Sequence, residues 1–65
     1  MNLSDLLTIR QAAELVPALT EGAIRMLIKR DTGGFEDECI VRIGSRVYID
    51  RASMERWLEK RRTRQ

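Results

Sequence analysis

Apolar residues first recur at helical spacing between positions 9 and 16 of the chain. They lie at i, i+3, i+4 and i+7 of this stretch, as Ile9, Ala12, Ala13 and Val16. Thr8 precedes them, and Gln11 follows three residues later, which is the pattern of a capping box at a helix N-terminus. Pro17 lacks a backbone N–H and disfavours helical geometry at the residue before it, so the pattern predicts a helix that ends there.

A second helix is predicted from Glu21 to Arg30. Thr20 is its expected N-cap, and Leu19 can close against Ile24 as a hydrophobic staple. The inner face of this helix holds the apolar residues Ala23, Ile24, Leu27 and Ile28. The outer face holds Glu21, Gly22, Arg25, Met26 and Lys29. Because it carries a glycine and two cations, this outer face is suited to entering a DNA groove.

The residues after the second helix are predicted to form a loop and then a β-hairpin. Asp31 to Gly34 end the helix, and the loop continues through Glu38 with Phe35 as its anchor. From Cys39 onward the apolar spacing changes to period two, which is typical of strands.

Two tips are compatible with this hairpin. A three-residue tip of Gly44, Ser45 and Arg46 pairs Ile43 with Val47 and Val41 with Ile49, and leaves Arg42 and Tyr48 on the other side. A two-residue tip of Gly44 and Ser45 pairs Ile43 with Arg46 and mixes polar with apolar residues on both faces. The longer tip, with Arg46 at its end, is favoured because it places the apolar residues of both strands on one face that can be buried.

A further helix is predicted after Asp50, which is its expected cap. Met54, Trp57 and Leu58 form its buried stripe. The apolar periodicity is lost beyond Glu59, so residues 60–65 are expected to form a basic tail. The whole chain, residues 1–65, is therefore predicted to be a single α+β domain of the winged helix-turn-helix type: a two-helix unit, a hairpin wing and a C-terminal helix.

Charge is unevenly distributed along the chain, although the formal net charge is only +2. Residues 31–41 carry four carboxylates and no cation, whereas residues 42–65 carry eight cations and three carboxylates. Ten of the twelve cations are arginines, whose planar guanidinium suits phosphates and guanine edges better than the ammonium of lysine does. This distribution favours an anionic partner for part of the surface.

Catalysis and metal binding are not expected from this sequence. The chain has no histidine and one cysteine, Cys39, so it lacks a zinc or iron–sulfur ligand set and an internal disulfide. Three adjacent carboxylates at positions 36–38 are too close in sequence to form a calcium loop or a positioned acid–base pair. We therefore expect no enzyme activity and no cofactor. The lone cysteine and the lack of a signal or membrane-spanning pattern favour a cytoplasmic location without membrane contact.

Three segments together resemble a known family. They are Thr8-Ile9-Arg10-Gln11-Ala12-Ala13-Glu14-Leu15, then Thr20-Glu21-Gly22-Ala23-Ile24-Arg25, then Ile43-Gly44-Ser45-Arg46-Val47-Tyr48-Ile49-Asp50 followed by Trp57-Leu58. In this order they look like the small MerR-related winged-helix proteins that include phage excisionases and AlpA-type prophage regulators. The resemblance spans residues 7–58.

The resemblance implies a protein that binds double-stranded DNA as several copies on adjacent sites, bends it and directs an integrase toward excision. It implies that Thr20, Glu21 and Arg25 face the major groove and that Arg46 lies on the wing. The residue pattern adds four further candidates for DNA contact: Gly22 and Lys29 on the second helix, and Arg42 and Ser45 on the hairpin. A small transcriptional regulator would use the same surface. A protein-interaction module that docks an acidic partner is the alternative outside DNA binding.

Self-association on DNA is a separate expectation from the charge distribution. The acidic residues Glu36, Asp37 and Glu38 of one copy would meet the basic residues Arg61, Arg62 and Arg64 of the next. Such a head-to-tail contact does not close on itself, so it would extend along DNA. Exposed ion pairs contribute only about 0–1 kcal/mol each, so the free protein is expected to remain largely monomeric.

Overall fold

A computed structural model of the chain describes residues 3–62, and residues 3–61 with their side chains. This part of the chain forms a small α+β domain with four α-helices and a three-stranded antiparallel sheet. In chain order the elements are β1 (Leu6–Leu7), α1 (Ile9–Leu15), α2 (Glu21–Arg30), α3 (Phe35–Cys39), β2 (Ile40–Ile43), β3 (Arg46–Asp50) and α4 (Arg51–Arg62), with short 3-10 turns at Leu3–Asp5 and Thr32–Gly34.

The first two predicted helices begin where the capping residues indicate. The Thr8 hydroxyl accepts a hydrogen bond from the Gln11 N–H at 3.0 Å, and the Gln11 side chain accepts one from the Thr8 N–H at 2.9 Å. The Thr20 hydroxyl accepts from the Ala23 N–H at 3.1 Å at the start of α2. Each cap satisfies backbone donors that the first turn leaves unpaired. The predicted capping box and the predicted bounds of α2 are confirmed.

The loop predicted between α2 and the hairpin is wrong, because this stretch is helical. Asp31 ends α2 in the left-handed conformation, and Gly33 and Gly34 also have positive φ. The Asp31 carboxylate then accepts a hydrogen bond from the Glu36 N–H at 3.0 Å. The carboxylates at positions 36–38 lie in the first turn of α3, where the positive end of the helix dipole stabilises negative charge. Cys39 is accordingly the last residue of α3, and the hairpin begins at Ile40.

The hairpin has the two-residue tip, so the longer tip that burial favoured is wrong. Ile43 pairs with Arg46, and Ile40 pairs with Ile49. Gly44 has a φ of +61° and Ser45 does not have a positive φ, which is the φ pattern of a type II′ turn. The twist of this turn matches that of two paired strands, so turn geometry prevails over the matching of apolar residues. Arg46 is therefore the first residue of β3 and not the end of the tip.

The sheet has the strand order β1-β3-β2, so β3 is its central strand. Leu6 pairs with Asp50 and Leu7 pairs with Ile49 in the antiparallel β1–β3 ladder. The sequence did not predict β1, since a two-residue strand is too short to show an alternating pattern.

The hydrophobic core joins all four helices to the central strand. Its buried residues are Ala12, Ile24, Phe35, Cys39, Ile49, Met54 and Trp57. The rings of Phe35 and Trp57 form an edge-to-face pair with centroids 4.9 Å apart. The Trp57 indole N–H donates to the Gly33 carbonyl at 3.0 Å, so the indole is both packed and paired. The predictions that Phe35 is an anchor and that Met54 and Trp57 are core residues are confirmed.

α4 begins at Arg51, directly after Asp50 as predicted, but it continues to Arg62, so the C-terminal helix is longer than predicted. The Arg61 guanidinium lies 3.9 Å from the centroid of the Trp57 ring, and the Lys60 ammonium lies 3.0 Å from a carboxylate oxygen of Glu38. Residues 60–62 are thus helical, and the prediction of a tail that starts at residue 60 is wrong. Arg64 lies outside the described residues.

Candidate nucleic-acid interface

A cleft of about 360 Å³ opens between the two N-terminal helices and the hairpin. Three elements supply its walls: α1, the first two turns of α2, and the hairpin at its tip. The lining residues are Ile9, Arg10, Glu21, Arg25, Ser45, Arg46, Val47 and Tyr48. Three guanidinium groups line this cleft against one carboxylate, so the cleft is suited to an anionic ligand.

On α2, Glu21 and Arg25 stand one helical turn apart and form an ion pair. The distance from Arg25 Nη1 to Glu21 Oε1 is 3.4 Å, and the two side chains are 60% and 44% exposed. An exposed i,i+4 pair of this kind is weak, contributing about 0.3–0.5 kcal/mol. The Arg25 guanidinium can therefore exchange Glu21 for a base edge or a phosphate at little cost.

On the hairpin, the tight turn positions Ser45 and Arg46 at the cleft. Gly44 provides the positive φ that the turn requires, and Arg46 follows as the first residue of β3. Four of the candidates for DNA contact therefore line one cleft: Glu21 and Arg25 from α2, and Ser45 and Arg46 from the hairpin.

Arg10 is a cleft residue that the sequence prediction missed. The capping box at Thr8 fixes the start of α1, and Arg10 is the second residue of that helix. Ile9, directly before it, packs against the core and also lines the cleft. The available signal was that Arg10 is the single cation of α1, directly beside a residue of the helix's inner face.

Arg42 does not belong to this cleft, although the sequence suggested that both hairpin arginines could serve one groove. Cross-strand partners project to the same face of a sheet, and consecutive residues of one strand project to opposite faces. Arg42 pairs with Val47 and Arg46 pairs with Ile43, so the two arginines project from opposite faces of the hairpin. The Arg42 guanidinium donates from Nε at 3.0 Å and from Nη2 at 2.6 Å to one Glu36 oxygen, which ties β2 to α3.

Three further candidates, the N-cap residue Thr20 and the α2 residues Gly22 and Lys29, do not line the cleft. The Thr20 hydroxyl is engaged as the N-cap of the helix. Gly22 is exposed, and a β-carbon at this position would meet only the Thr20 hydroxyl at 3.9 Å, so this surface of α2 is open. Lys29 is exposed near the C-terminal end of the helix.

The acidic residues of α3 already have basic partners within the same chain. Glu36 pairs with Arg42 at 2.6 Å, and Glu38 pairs with Lys60 at 3.0 Å. Asp37 is exposed in the same turn. The expected contact between acidic and basic segments of neighbouring copies would therefore compete with pairs inside one chain. Of the basic partners expected for it, Arg61 packs on Trp57, and the side chains of Arg62 and Arg64 lie outside the described part.

A larger surface depression of about 740 Å³ follows one face of α4. It is lined by Ala52, Glu55, Arg56, Leu58 and Glu59, all from one helix. Two carboxylates against one arginine make this depression poorly suited to phosphate groups, so the cleft beside α2 is the stronger candidate.

Metal ligation and thiol reactivity depend on the carboxylates and the single cysteine of the described residues. Among residues 3–61, no three His, Cys, Asp or Glu side chains are arranged so that they could hold a metal ion. Burial in the core, reinforced by the nearby carboxylates of Glu38 and Asp50, raises the pKa of the Cys39 thiol from 9.0 to about 11. A thiol that stays protonated at neutral pH is a poor nucleophile, so Cys39 acts as a small apolar core residue. No helix in the described part of the chain is long and apolar enough to cross a bilayer.

Comparisons with known protein families, with characterised proteins and with solved structures found no significant match to this chain.

Proposed function

We propose that this chain is a winged helix-turn-helix protein that binds double-stranded DNA. In this proposal α1 and α2 form the helix-turn-helix, and the β2–β3 hairpin is the wing. The observation that carries the proposal is the convergence of Arg10, Arg25 and Arg46, from three separate elements, on one cleft.

The proposed DNA contacts lie in two grooves, because α2 and the hairpin stand on opposite sides of the cleft. The outer face of α2 enters the major groove, where the Arg25 guanidinium is suited to a bidentate contact with a guanine edge. The wing lies over the adjacent minor groove with Arg46. The sugar-phosphate strand that separates the two grooves then occupies the cleft, where Arg10 supplies a phosphate contact.

The placement of the carboxylates is compatible with this orientation. Glu36 is neutralised by Arg42, which projects from the face of the hairpin opposite to Arg46. Glu38 is neutralised by Lys60. Repulsion between the acidic helix α3 and phosphate is thereby reduced, and Arg42 is reassigned from DNA contact to the internal support of the hairpin.

Within this class we propose an excisionase, a recombination directionality factor that binds and bends attachment-site DNA in several copies and directs an integrase. The support for this finer role is the resemblance of the motifs at Thr8–Leu15, Thr20–Arg25 and Ile43–Asp50 to phage excisionases. A footprint on DNA that flanks the gene tests it: protection of adjacent sites beside an integrase gene fits excision, and protection of a promoter alone fits a transcriptional regulator.

The Arg25→Ala variant tests the assignment of α2 to the major groove. We expect a loss of about 1–3 kcal/mol on the footprinted site and a smaller loss on random DNA, because a base contact carries sequence information. Fluorescence anisotropy with both duplexes measures the two losses, and Arg51→Ala on α4 is the control. An equal loss on both duplexes would reduce Arg25 to a phosphate contact. Weak DNA binding without steep salt dependence would instead favour the protein-interaction module.

A further inference from the structure

An isoleucine lies exposed on the same face of the hairpin as Arg46. Ile43 is the last residue of β2, it is 52% exposed, and its cross-strand partner is Arg46. The two-residue turn causes this exposure, because the alternative register would have paired Ile43 with Val47 instead. Tyr48, two residues after Arg46 on the same face, lines the cleft.

The hairpin tip thus presents a cation and an apolar side chain next to each other, and a DNA minor groove can accommodate both. The negative potential of the groove attracts the guanidinium of Arg46, which brings the hairpin tip to the groove floor. Deoxyribose and stacked bases present apolar surface there, and proteins that kink DNA use apolar side chains such as isoleucine as wedges between base steps. Ile43 stands next to the arginine that would position it, at the tip of the element that would reach the groove.

We propose that Ile43 is an apolar wedge that enters the minor groove beside Arg46 and bends the duplex. This inference rests on the proposed DNA-binding function and adds to it the residue that deforms the DNA. Pyrimidine–purine steps such as TA unstack at low cost, whereas A-tracts are stiff. The wedge therefore also gives the protein a preference for a flexible step at the position of the wing.

The test uses Ile43→Thr, which keeps a β-branched side chain suited to a strand but replaces a methylene-methyl arm with a hydroxyl. Ile43→Val is the conservative variant that retains an apolar wedge. Leu15→Thr is the matched control, since Leu15 is 45% exposed at the end of α1 and does not line the cleft. Circular dichroism confirms that each variant is folded before binding is measured.

The probes are 30-base-pair duplexes labelled at both ends with a fluorescence donor and acceptor, one with a central TA step and one with a central A-tract. For wild type and for Ile43→Val we expect binding with an increase in energy transfer, larger on the TA duplex. For Ile43→Thr we expect about fivefold weaker binding to the TA duplex, the factor for burying half an isoleucine side chain, and loss of most of the bend.

Two results overturn the inference while leaving DNA binding intact: wild-type binding without a bend, or the same affinity and bend in Ile43→Thr as in wild type. An equal effect of Leu15→Thr would also overturn it, because the effect would then not belong to the wing. Failure of the wild-type protein to bind either duplex overturns the proposed function itself.

Discussion

The contact between Arg61 and Trp57 gives a direct prediction about the C-terminal end of the fold. The Arg61 guanidinium lies 3.9 Å from the centroid of the Trp57 ring, and the Arg61 side chain is partly buried. Arg61→Ala removes both the cation–π interaction and the packing of the arginine stem. If residues 60–62 formed a solvated tail, the same substitution would leave stability unchanged.

The expected cost is a sizeable fraction of the total stability. A partly desolvated cation–π contact contributes about 0.5–2 kcal/mol, and the lost stem packing adds to it, so we expect a loss of about 1–2 kcal/mol. A 65-residue domain has a total unfolding free energy of only about 3–10 kcal/mol. For a domain of this size each lost kcal/mol lowers Tm by about 4–8 °C.

Urea unfolding followed by tryptophan fluorescence measures this loss, because Trp57 is the only tryptophan in the chain and lies at the contact. Arg51→Ala is the control, since its pair with Glu55 at 3.5 Å is exposed and should contribute less than about 0.5 kcal/mol. Equal unfolding free energies for Arg61→Ala and Arg51→Ala would refute the reasoning.

A second substitution, at Gly33, disturbs the same contact and strengthens this test. A β-carbon at Gly33 would overlap the Arg61 guanidinium and would also be strained by the φ of +56°. Gly33→Ala should therefore displace Arg61 from the ring. The double variant should lose less stability than the two single variants combined, because both remove the same contact. Full additivity would mean that Gly33 and Arg61 act independently.

Two further predictions concern the core beneath this contact. Phe35→Ala should cost about 3–5 kcal/mol and leave the protein largely unfolded by circular dichroism, whereas Phe35→Leu should remain folded; a native Phe35→Ala spectrum and Tm would contradict this. Cys39 should add stability that is fully present below pH 9 and is lost as the pH rises through about 11, because the unfolded thiol ionises first. Urea unfolding across this range should show a steeper decline for wild type than for Cys39→Ala, and parallel curves would contradict it.

The parts of the fold that could be predicted are those that short-range chemistry determines. Thr8 and Thr20 each cap a helix by accepting a hydrogen bond from the backbone N–H three residues later. The start of α1 and the start of α2 could therefore be predicted from the sequence. Trp57 stands at helical spacing between apolar neighbours, so its burial could also be predicted. These signals do not depend on the rest of the chain.

The parts that were missed depend on contacts between distant residues. Helix α3 has five residues, too few to show periodicity, and it is held by Phe35 against Trp57 far along the chain. Likewise, Arg61 looked like part of a tail because its contact with an aromatic ring is a tertiary one. The hairpin register was misjudged because the burial argument treated one whole face as core, whereas Ile43 lies beyond the core and is exposed.

The candidate site was predictable in part for the same reasons. Glu21 and Arg25 follow from the face of one helix, and Ser45 and Arg46 follow from the turn beside them. The positions of Arg10 and Arg42 relative to the cleft could be assigned only from the three-dimensional arrangement. Arg10 lines the cleft from α1. Arg42 projects from the face of the hairpin opposite to Arg46 and binds Glu36.

The most direct test of DNA binding through the cleft is the salt dependence of affinity for random duplex DNA. The measurement compares Arg10→Ala/Arg46→Ala with Arg51→Ala/Arg56→Ala. Each pair removes two positive charges from a formal net charge of +2, so both variants have a formal net charge of zero and differ only in where charge is lost. Neither Arg51 nor Arg56 lines the cleft.

Each bound cation that neutralises phosphate charge, whether it contacts a phosphate or lies in a groove, contributes about 0.9 to the slope of log K against log salt concentration. If the cleft holds the phosphate strand, the slope for Arg10→Ala/Arg46→Ala should be shallower than that of wild type by about 2, while Arg51→Ala/Arg56→Ala should keep the wild-type slope. Equal slopes for the two double variants, or a wild-type affinity that salt hardly changes, would contradict the account.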